Sequence, residues 1–340
     1  MNKVKLIVFF LCCSHLSAFS LDEKIGQLFI APVYPKDENA LKEKQPVPNR
    51  DYIDRLITKY HIGGVLLKFY WDLEEEKEAI EHFQSLSKTP LFICQDVERG
   101  LSQRVRDIGP AAKTDGYEIG RQCRLAGVNF ALAPVADVDS NPENPVIGKR
   151  SFGSDADEVA TVVSRVVCEI QSCGVIATAK HFPGHGDTSE DSHAVLPILK
   201  HNRERINSVE LKPFKAAIEG GVMAVMTGHL AVLAFDDKPA SLSRHVVEEL
   251  LRKDLGFEGL VITDDLLMGA VRSDEAALEA FKAGNDLILS APDIPRAIEQ
   301  IKAVILSGEI AEEELDERVE RIQKAKRFCN KKTGLQLPRF

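Results

Sequence analysis

Cysteine is scarce in this chain and follows no useful pattern. Of seven Cys, Cys12 and Cys13 fall in an apolar N-terminal run. The other five, Cys94, Cys123, Cys168, Cys173 and Cys329, are odd in number and spaced like neither a disulfide framework nor a zinc site. Cys168 and Cys173 share a helical stretch and read as buried free thiols. There is no Gly-x-Ser-x-Gly elbow and no His-Glu-x-x-His pair. No glycine-rich phosphate turn follows the first apolar run, which continues instead into Ala31-Pro-Val-Tyr-Pro35. Basic charge is also short: 43 Lys and Arg stand against 52 Asp and Glu. Without Met1–Ser20, which carries two Lys and no acid, 41 basic residues remain against 52 acidic ones, a formal charge of −11. That balance excludes nucleic acid or an anionic membrane surface as the expected partner. After residue 20 no apolar run is long enough to cross a bilayer, and no low-complexity tract or Pro/Gly/Ser linker divides the chain.

The first twenty residues stand apart. Lys3 and Lys5 precede Leu6-Ile-Val-Phe-Phe-Leu-Cys-Cys13, and Ala18-Phe-Ser20 offers small residues at a cleavage position. This is the pattern of a secretory signal peptide over residues 1–20, leaving 21–340 as the working domain. Cys12 and Cys13 lack the small residues that precede a lipidated Cys, so no stable membrane anchor is expected. The expected location is therefore periplasmic or secreted, with a cytoplasmic chain as the alternative. In the remainder, eight apolar β-type runs alternate with helical patterns. The runs are 27–33, 64–69, 90–96, 129–137, 175–181, 224–229, 259–265 and 286–291; the helical patterns include 74–86, 157–173 and 244–255. The runs are nearly continuous rather than alternating, as in strands covered on both faces. Eight such units in a chain of 340 residues predict an α/β fold, a single-domain (β/α)8 TIM barrel. An open doubly wound sheet is the competitor, but it commonly has fewer strands and a glycine-rich first turn.

The strand ends carry the chemistry. The third run ends in Asp96, followed by Glu98, Arg99 and Arg104; the fourth leads to Asp137, Asp139 and Arg150. The fifth ends in Lys180-His181, the sixth in His229 and the seventh in Asp264-Asp265. In a barrel all of these gather at one mouth, where active sites sit. The densest segment, Lys180-His-Phe-Pro-Gly-His-Gly-Asp187-Thr-Ser-Glu-Asp191-Ser-His193, holds three His, two Asp, a Glu and a Lys. It contains metal-ligand residue types, but Pro183-Gly184 breaks the helix that would align His181 with His185, so no metal or other cofactor is expected. Ser192 lies between Asp191 and His193, and adjacent residues do not readily form a nucleophile–base–orienter chain. Carboxylate chemistry on a sugar fits better. Asp264 or Asp265 is placed as a nucleophile, and His193 as a proton carrier whose tautomer Asp191 would fix.

Several of these stretches, in order, resemble the bacterial β-N-acetylhexosaminidases of glycoside hydrolase family 3, the NagZ type. The resemblance rests on the segment from Lys180 to His193, on Leu21–Phe29, on Ala133-Pro-Val, and on Asn141-Pro-Glu-Asn-Pro-Val-Ile-Gly-Lys-Arg150-Ser-Phe. It extends through Pro239-Ala-Ser-Leu-Ser243 and Leu255–Gly259 to Thr263-Asp-Asp-Leu-Leu-Met-Gly-Ala270. It implies a retaining exo-glycosidase with Asp264 as nucleophile, His193 as acid/base and Asp191 as its partner. Asp96, Arg104, Arg150, Lys180 and His181 would hold a terminal N-acetylglucosamine, and the implied substrate is a muropeptide from cell-wall turnover. A monomer is expected. Alternatives are a related phosphorylase, a broad β-glycosidase or a non-catalytic sugar-binding barrel. Asp265 reads as a brace for the strand end, and Arg150 as a possible partner of Asp137 or Asp139. Two places depart from the family pattern: Glu98-Arg99-Gly100-Leu101, where the family has Glu-Gly-Gly-Arg, and Lys68-Phe-Tyr70-Trp71, where it often has Arg-Asn at the last two positions.

Overall fold

The computed structural model describes residues 19–34, 50–68, 72–106 and 108–330. The expected signal segment up to residue 18 and the departures at 69–71 lie outside the described residues. Eight strands form one sheet: β1 (Phe29–Val33), β2 (Gly64–Leu67), β3 (Phe92–Gln95), β4 (Phe130–Ala131), β5 (Ile176–Phe182), β6 (Ala224–Thr227), β7 (Leu260–Thr263) and β8 (Ile288–Leu289). Every neighbouring pair is parallel, in the order β7-β6-β5-β4-β3-β2-β1-β8. A parallel bridge between Ile262 and Leu287, with Thr263 N donating to Leu287 O at 3.0 Å, joins β7 to β8 and closes the barrel. The strands are wholly buried, which is why their sequences read as unbroken apolar runs.

The helices lie within a residue of expectation, at Leu73–Leu86, Ala156–Ser172 and His245–Asp254. β4 is much shorter than its apolar run. Past Ala131 the regular ladder with β5 is broken: Thr178 Oγ1 donates to Ala131 O at 2.7 Å, Thr178 N donates instead to Ala133 O at 2.7 Å, and Pro134 has no N–H to add before the bridge from Val135 to Lys180. Cys168 departs from its expected burial: it sits on the exposed face of Ala156–Ser172, whereas Cys173 is buried. The last helix, Glu312–Cys329, packs across the strand starts, where Lys326 Nζ donates to Gln27 Oε1 at 2.7 Å and lies 5.2 Å from the Phe92 ring centre. At the other end of the chain Ser20 caps Leu21–Gly26 through reciprocal bonds with Glu23. No helix among the described residues is long and apolar enough to cross a membrane.

One buried acid outside the mouth gives a stability test. Glu76 is fully buried between its helix and β3, where Gln95 Nε2 donates to it at 2.8 Å. Burial pushes its carboxyl up to about 7, against the smaller opposing effect of that hydrogen bond. A raised folded-state value means that the native state keeps its advantage below the unfolded value and loses it as pH rises through about 7. Glu76→Gln is therefore expected to raise Tm at pH 8 and to change it little at pH 4, as read from melting curves at both pH values.

Candidate active site at the barrel mouth

The site begins with charge at the end of β3. Arg104 Nη2 donates to Asp96 Oδ2 at 2.8 Å, and Lys180 Nζ lies 3.2 Å from Asp96 Oδ1 and 2.9 Å from Glu98 Oε1. Arg150 closes the chain by gripping both oxygens of Glu98, Nε to Oε2 at 3.0 Å and Nη2 to Oε1 at 2.7 Å. Lys180 is only 2% exposed. Burial alone would favour neutral groups here. The ammonium is nevertheless held above its usual range because Glu98 and Asp96 outweigh that effect. Burial likewise works against ionised Asp96, but Lys180 and Arg104 hold it well below the carboxylate range. Glu98 is lowered to about 2 against the same burial, by Lys180 and Arg150. These groups stay charged at working pH and present fixed donors and acceptors to the cavity.

The next layer depends on Asp137, beyond β4. Its carboxylate is fully buried and accepts from His181 N at 3.2 Å, from His185 N at 2.7 Å and from His181 Nδ1 at 2.8 Å. The ring bond makes Nδ1 the donor and turns Nε2 toward the cavity, 3.4 Å from Arg150 Nη2. Arg150 thus pairs with Glu98 rather than Asp137 or Asp139, because the single turn Gly148–Arg150 aims it across the mouth toward β3. His185 is buried in the cavity wall with both ring nitrogens occupied. Its Nδ1 meets Thr188 Oγ1 at 2.8 Å and its Nε2 meets Ser192 Oγ at 3.1 Å. Asp187 braces the same loop by pairing with His201. The loop crosses so close to the chain before it that a Cβ on Gly186 would sit 1.7 Å from Val138 O. Gly186→Ala is expected to lower Tm by several degrees and to reduce activity with it, since His185 and Asp137 would both be displaced; melting and turnover together check this.

At the end of β7, Asp264 N donates to Thr227 O at 2.9 Å, and Asp265 N donates to Asp264 Oδ1 at 2.8 Å. Burial opposes charge on Asp264, but His181, His229 and the Asp265 N–H together lower its carboxyl below the usual range. It is an ionised carboxylate opening on the cavity. Asp265 braces the strand end as expected, with Oδ1 accepting from Leu267 N at 2.9 Å, and its other oxygen meets Lys68 from the end of β2. His229 is fully buried; Nδ1 meets Ser241 Oγ at 2.8 Å and Nε2 meets Asp265 O at 3.0 Å. Burial lowers it, against the opposing pull of Asp264 and Asp265, and its Nε2 donates to the Asp265 carbonyl.

His193 approaches from the facing loop. Its Nδ1 lies 2.7 Å from Asp191 Oδ1, which leaves Nε2 turned outward, and its side chain is 64% exposed. Two backbone bonds fasten the loop to the segment after Asp265: Gly269 N to His193 O at 3.0 Å and Ala270 N to Ser192 O at 3.3 Å. The approach leaves no room for a side chain at Gly269, whose Cβ would meet His193 O at 2.7 Å.

All these groups surround one cavity of about 630 Å³, a size typical of small-ligand pockets. Asp96, Arg104, Arg150, Lys180, His181, His193 and Asp264 all line it; Asp191 stands behind His193. Sequence reasoning did not single out Glu98, Asp137 or Lys68 as site residues, although the first two were visible as strand-end acids. The lining holds four carboxylates, Asp96, Glu98, Asp264 and Asp265, and four cations, Lys68, Arg104, Arg150 and Lys180. Each cation has a carboxylate partner, so the cavity suits a neutral, hydroxyl-rich ligand. Among the described residues, no group of three His, Cys, Asp or Glu is disposed to hold a metal ion.

Known proteins resemble this chain over most of its length. A β-N-acetylglucosaminidase/β-glucosidase of Cellulomonas fimi is 31% identical, over 95% of this chain and 60% of its own length. The β-hexosaminidase LpqI of Mycobacterium bovis is 32% identical over 85% of this chain and 81% of its own. The solved structure of a family 3 β-N-acetylglucosaminidase from a Paenibacillus strain superposes with a TM-score of 0.82 at 36% identity, covering 92% of this chain and 63% of that one. The chain thus spans about 60% of the length of some relatives that it matches. Residues 20–325 match the glycosyl hydrolase family 3 N-terminal domain, and the chain belongs to that family.

Proposed function

We propose that this chain is a retaining exo-β-N-acetylhexosaminidase that removes non-reducing terminal N-acetylglucosamine, with no cofactor. The observation that carries this reading is an ionised Asp264 sharing one cavity with the Asp191–His193 pair. Asp264 attacks the anomeric carbon while His193 Nε2–H protonates the departing oxygen. This gives a glycosyl ester on Asp264. His193, now neutral, takes a proton from water as the water attacks the same carbon from the other side. The ester C–O bond breaks, Asp264 is regenerated as a carboxylate, and the sugar leaves with its original configuration. Asp191 fixes the His193 tautomer so that Nε2 handles both transfers. Asp96, Arg104, Arg150, Lys180 and His181 hold the sugar hydroxyls and the acetamido group.

The neighbouring proteins named β-N-acetylglucosaminidase and β-hexosaminidase support the choice of sugar. Muropeptides met after export through the residue 1–20 segment are the substrate we infer. The paired cations favour water over phosphate as the acceptor, because a phosphate dianion would have to displace an existing carboxylate from its partner. The test is cleavage of an aryl N-acetyl-β-glucosaminide with and without phosphate. Free N-acetylglucosamine at a phosphate-independent rate is expected; a large phosphate-dependent rise giving the sugar 1-phosphate would overturn the hydrolase reading.

A further inference from the structure

Lys68 is a cavity cation whose ion pair with Asp265 lies outside the chain of pairs that joins Asp96, Glu98, Arg104, Arg150 and Lys180. It closes β2 and reaches Asp265, which follows β7. Those strands are three positions apart around the barrel, so this ion pair spans the mouth over β1 and β8. Asp265 is held through both its side chain and its backbone, including Met268 N donating to its carbonyl at 3.0 Å. Lys68 Nζ meets Oδ2, Leu267 N donates to Oδ1 at 2.9 Å, His229 Nε2 donates to its carbonyl at 3.0 Å, and its own N–H donates to Asp264 Oδ1 at 2.8 Å. The pair is largely shielded from solvent, with side chains 23% and 13% exposed, so its electrostatics are only partly screened.

Two adjacent carboxylates in one cavity compete for ionisation unless something neutralises one of them. We propose that Lys68 is a positioning residue for the nucleophile: it cancels the charge of Asp265 and fixes the backbone N–H that orients Asp264. The inference rests on the reading of Asp264 as nucleophile. The other charged or titratable groups facing this corner are Tyr34 at the end of β1, Asp96 after β3, Lys180 and His181 on β5, His229 after β6 and His193 on the facing loop. Lys180 is already shared between Asp96 and Glu98, and His229 is committed to Ser241 and the Asp265 carbonyl. Lys68 is thus the cation that answers Asp265.

The sign of the effect follows directly. Removing Lys68 leaves Asp265 as an unbalanced anion beside Asp264, which raises the pH at which Asp264 loses its charge. The acid limb of kcat/KM, which follows the free enzyme, moves to higher pH. Removing Asp265 instead leaves a surplus cation, and the limb does not rise.

The experiment is the pH dependence of kcat and KM for wild type, Lys68→Met, Lys68→Arg, Asp265→Asn and the Lys68→Met/Asp265→Asn double variant. Asp264→Ala is assayed beside them, and melting curves show which variants are folded. The expected result for Lys68→Met is an acid limb about one pH unit higher, with kcat reduced about tenfold and KM changed less. Lys68→Arg keeps the wild-type limb. The double variant returns the limb toward wild type, because the unbalanced charge is gone. Coincident limbs in all folded variants, or a double variant as shifted as Lys68→Met, would overturn the inference. If Lys68→Met does not fold, Lys68→Gln is read in its place: a limb raised above wild type supports the inference, and a limb coincident with wild type overturns it. Retained activity in Asp264→Ala would overturn the nucleophile reading itself, which is a separate outcome.

Discussion

Asp264→Ala is expected to reduce turnover of an aryl N-acetyl-β-glucosaminide by about 10⁴-fold or more while leaving the fold intact. The size follows from the proposed role: without the carboxylate no covalent intermediate forms, and the remaining groups only bind and orient. The fold should survive because the strand-end bond from Asp264 N to Thr227 O uses the backbone. Removing a carboxylate beside Asp265 also relieves like-charge repulsion, so Tm should not fall by more than a few degrees. Azide, a small anion able to enter the vacated space, should restore part of the activity and give a glycosyl azide of inverted configuration. Activity assays, melting curves and product analysis together check this. An equal loss of activity and Tm would indicate a structural role instead.

His193→Ala is expected to behave differently, and the difference is diagnostic. On a disaccharide the leaving alcohol needs a proton, and loss of His193 should cost about 10³-fold, within the usual range for a general acid. On a nitrophenyl glycoside the leaving group departs readily, so the first step should lose little. The second step still lacks its base, so the glycosyl-enzyme should accumulate. This should appear as a burst of nitrophenol, a low kcat and a lowered KM. Asp191→Ala should follow the same pattern more mildly, because it removes the partner of Nδ1 but not the imidazole. His193 is exposed, so its removal leaves the core intact, and unchanged melting would separate these effects from a folding defect.

Much of this architecture was legible because its signals are local. Strands buried on both faces read as apolar runs, and amphipathic helices between them fell within a residue of their expected ends. Asp96, Lys180-His181 and Asp264 were legible as strand-end residues because a barrel sends every strand end to the same mouth. Partnerships across the mouth were less legible. The sequence places Arg150 as near Asp137 and Asp139 as any acid, but it binds Glu98, because a single turn redirects it once the barrel closes. Asp137 looked like one more mouth acid, yet it is turned inward onto the backbone of His181 and His185. Lys68 interrupts an apolar strand end, and its partner lies 197 positions away in sequence. Cys168 looked like a core thiol by composition, but its position on the helix faces outward. In each case the residue type was visible and its partner depended on tertiary closure.

The central claim is a covalent glycosyl ester on Asp264. The most direct measurement is mass spectrometry of the protein after reaction with a fluorinated N-acetylglucosaminyl trap, chosen so that the ester forms faster than it hydrolyses. One sugar per chain is expected, located after digestion on the peptide containing Asp264, and none on Asp264→Ala. A label on another residue, or full turnover of the trap with no adduct at any time, would contradict it.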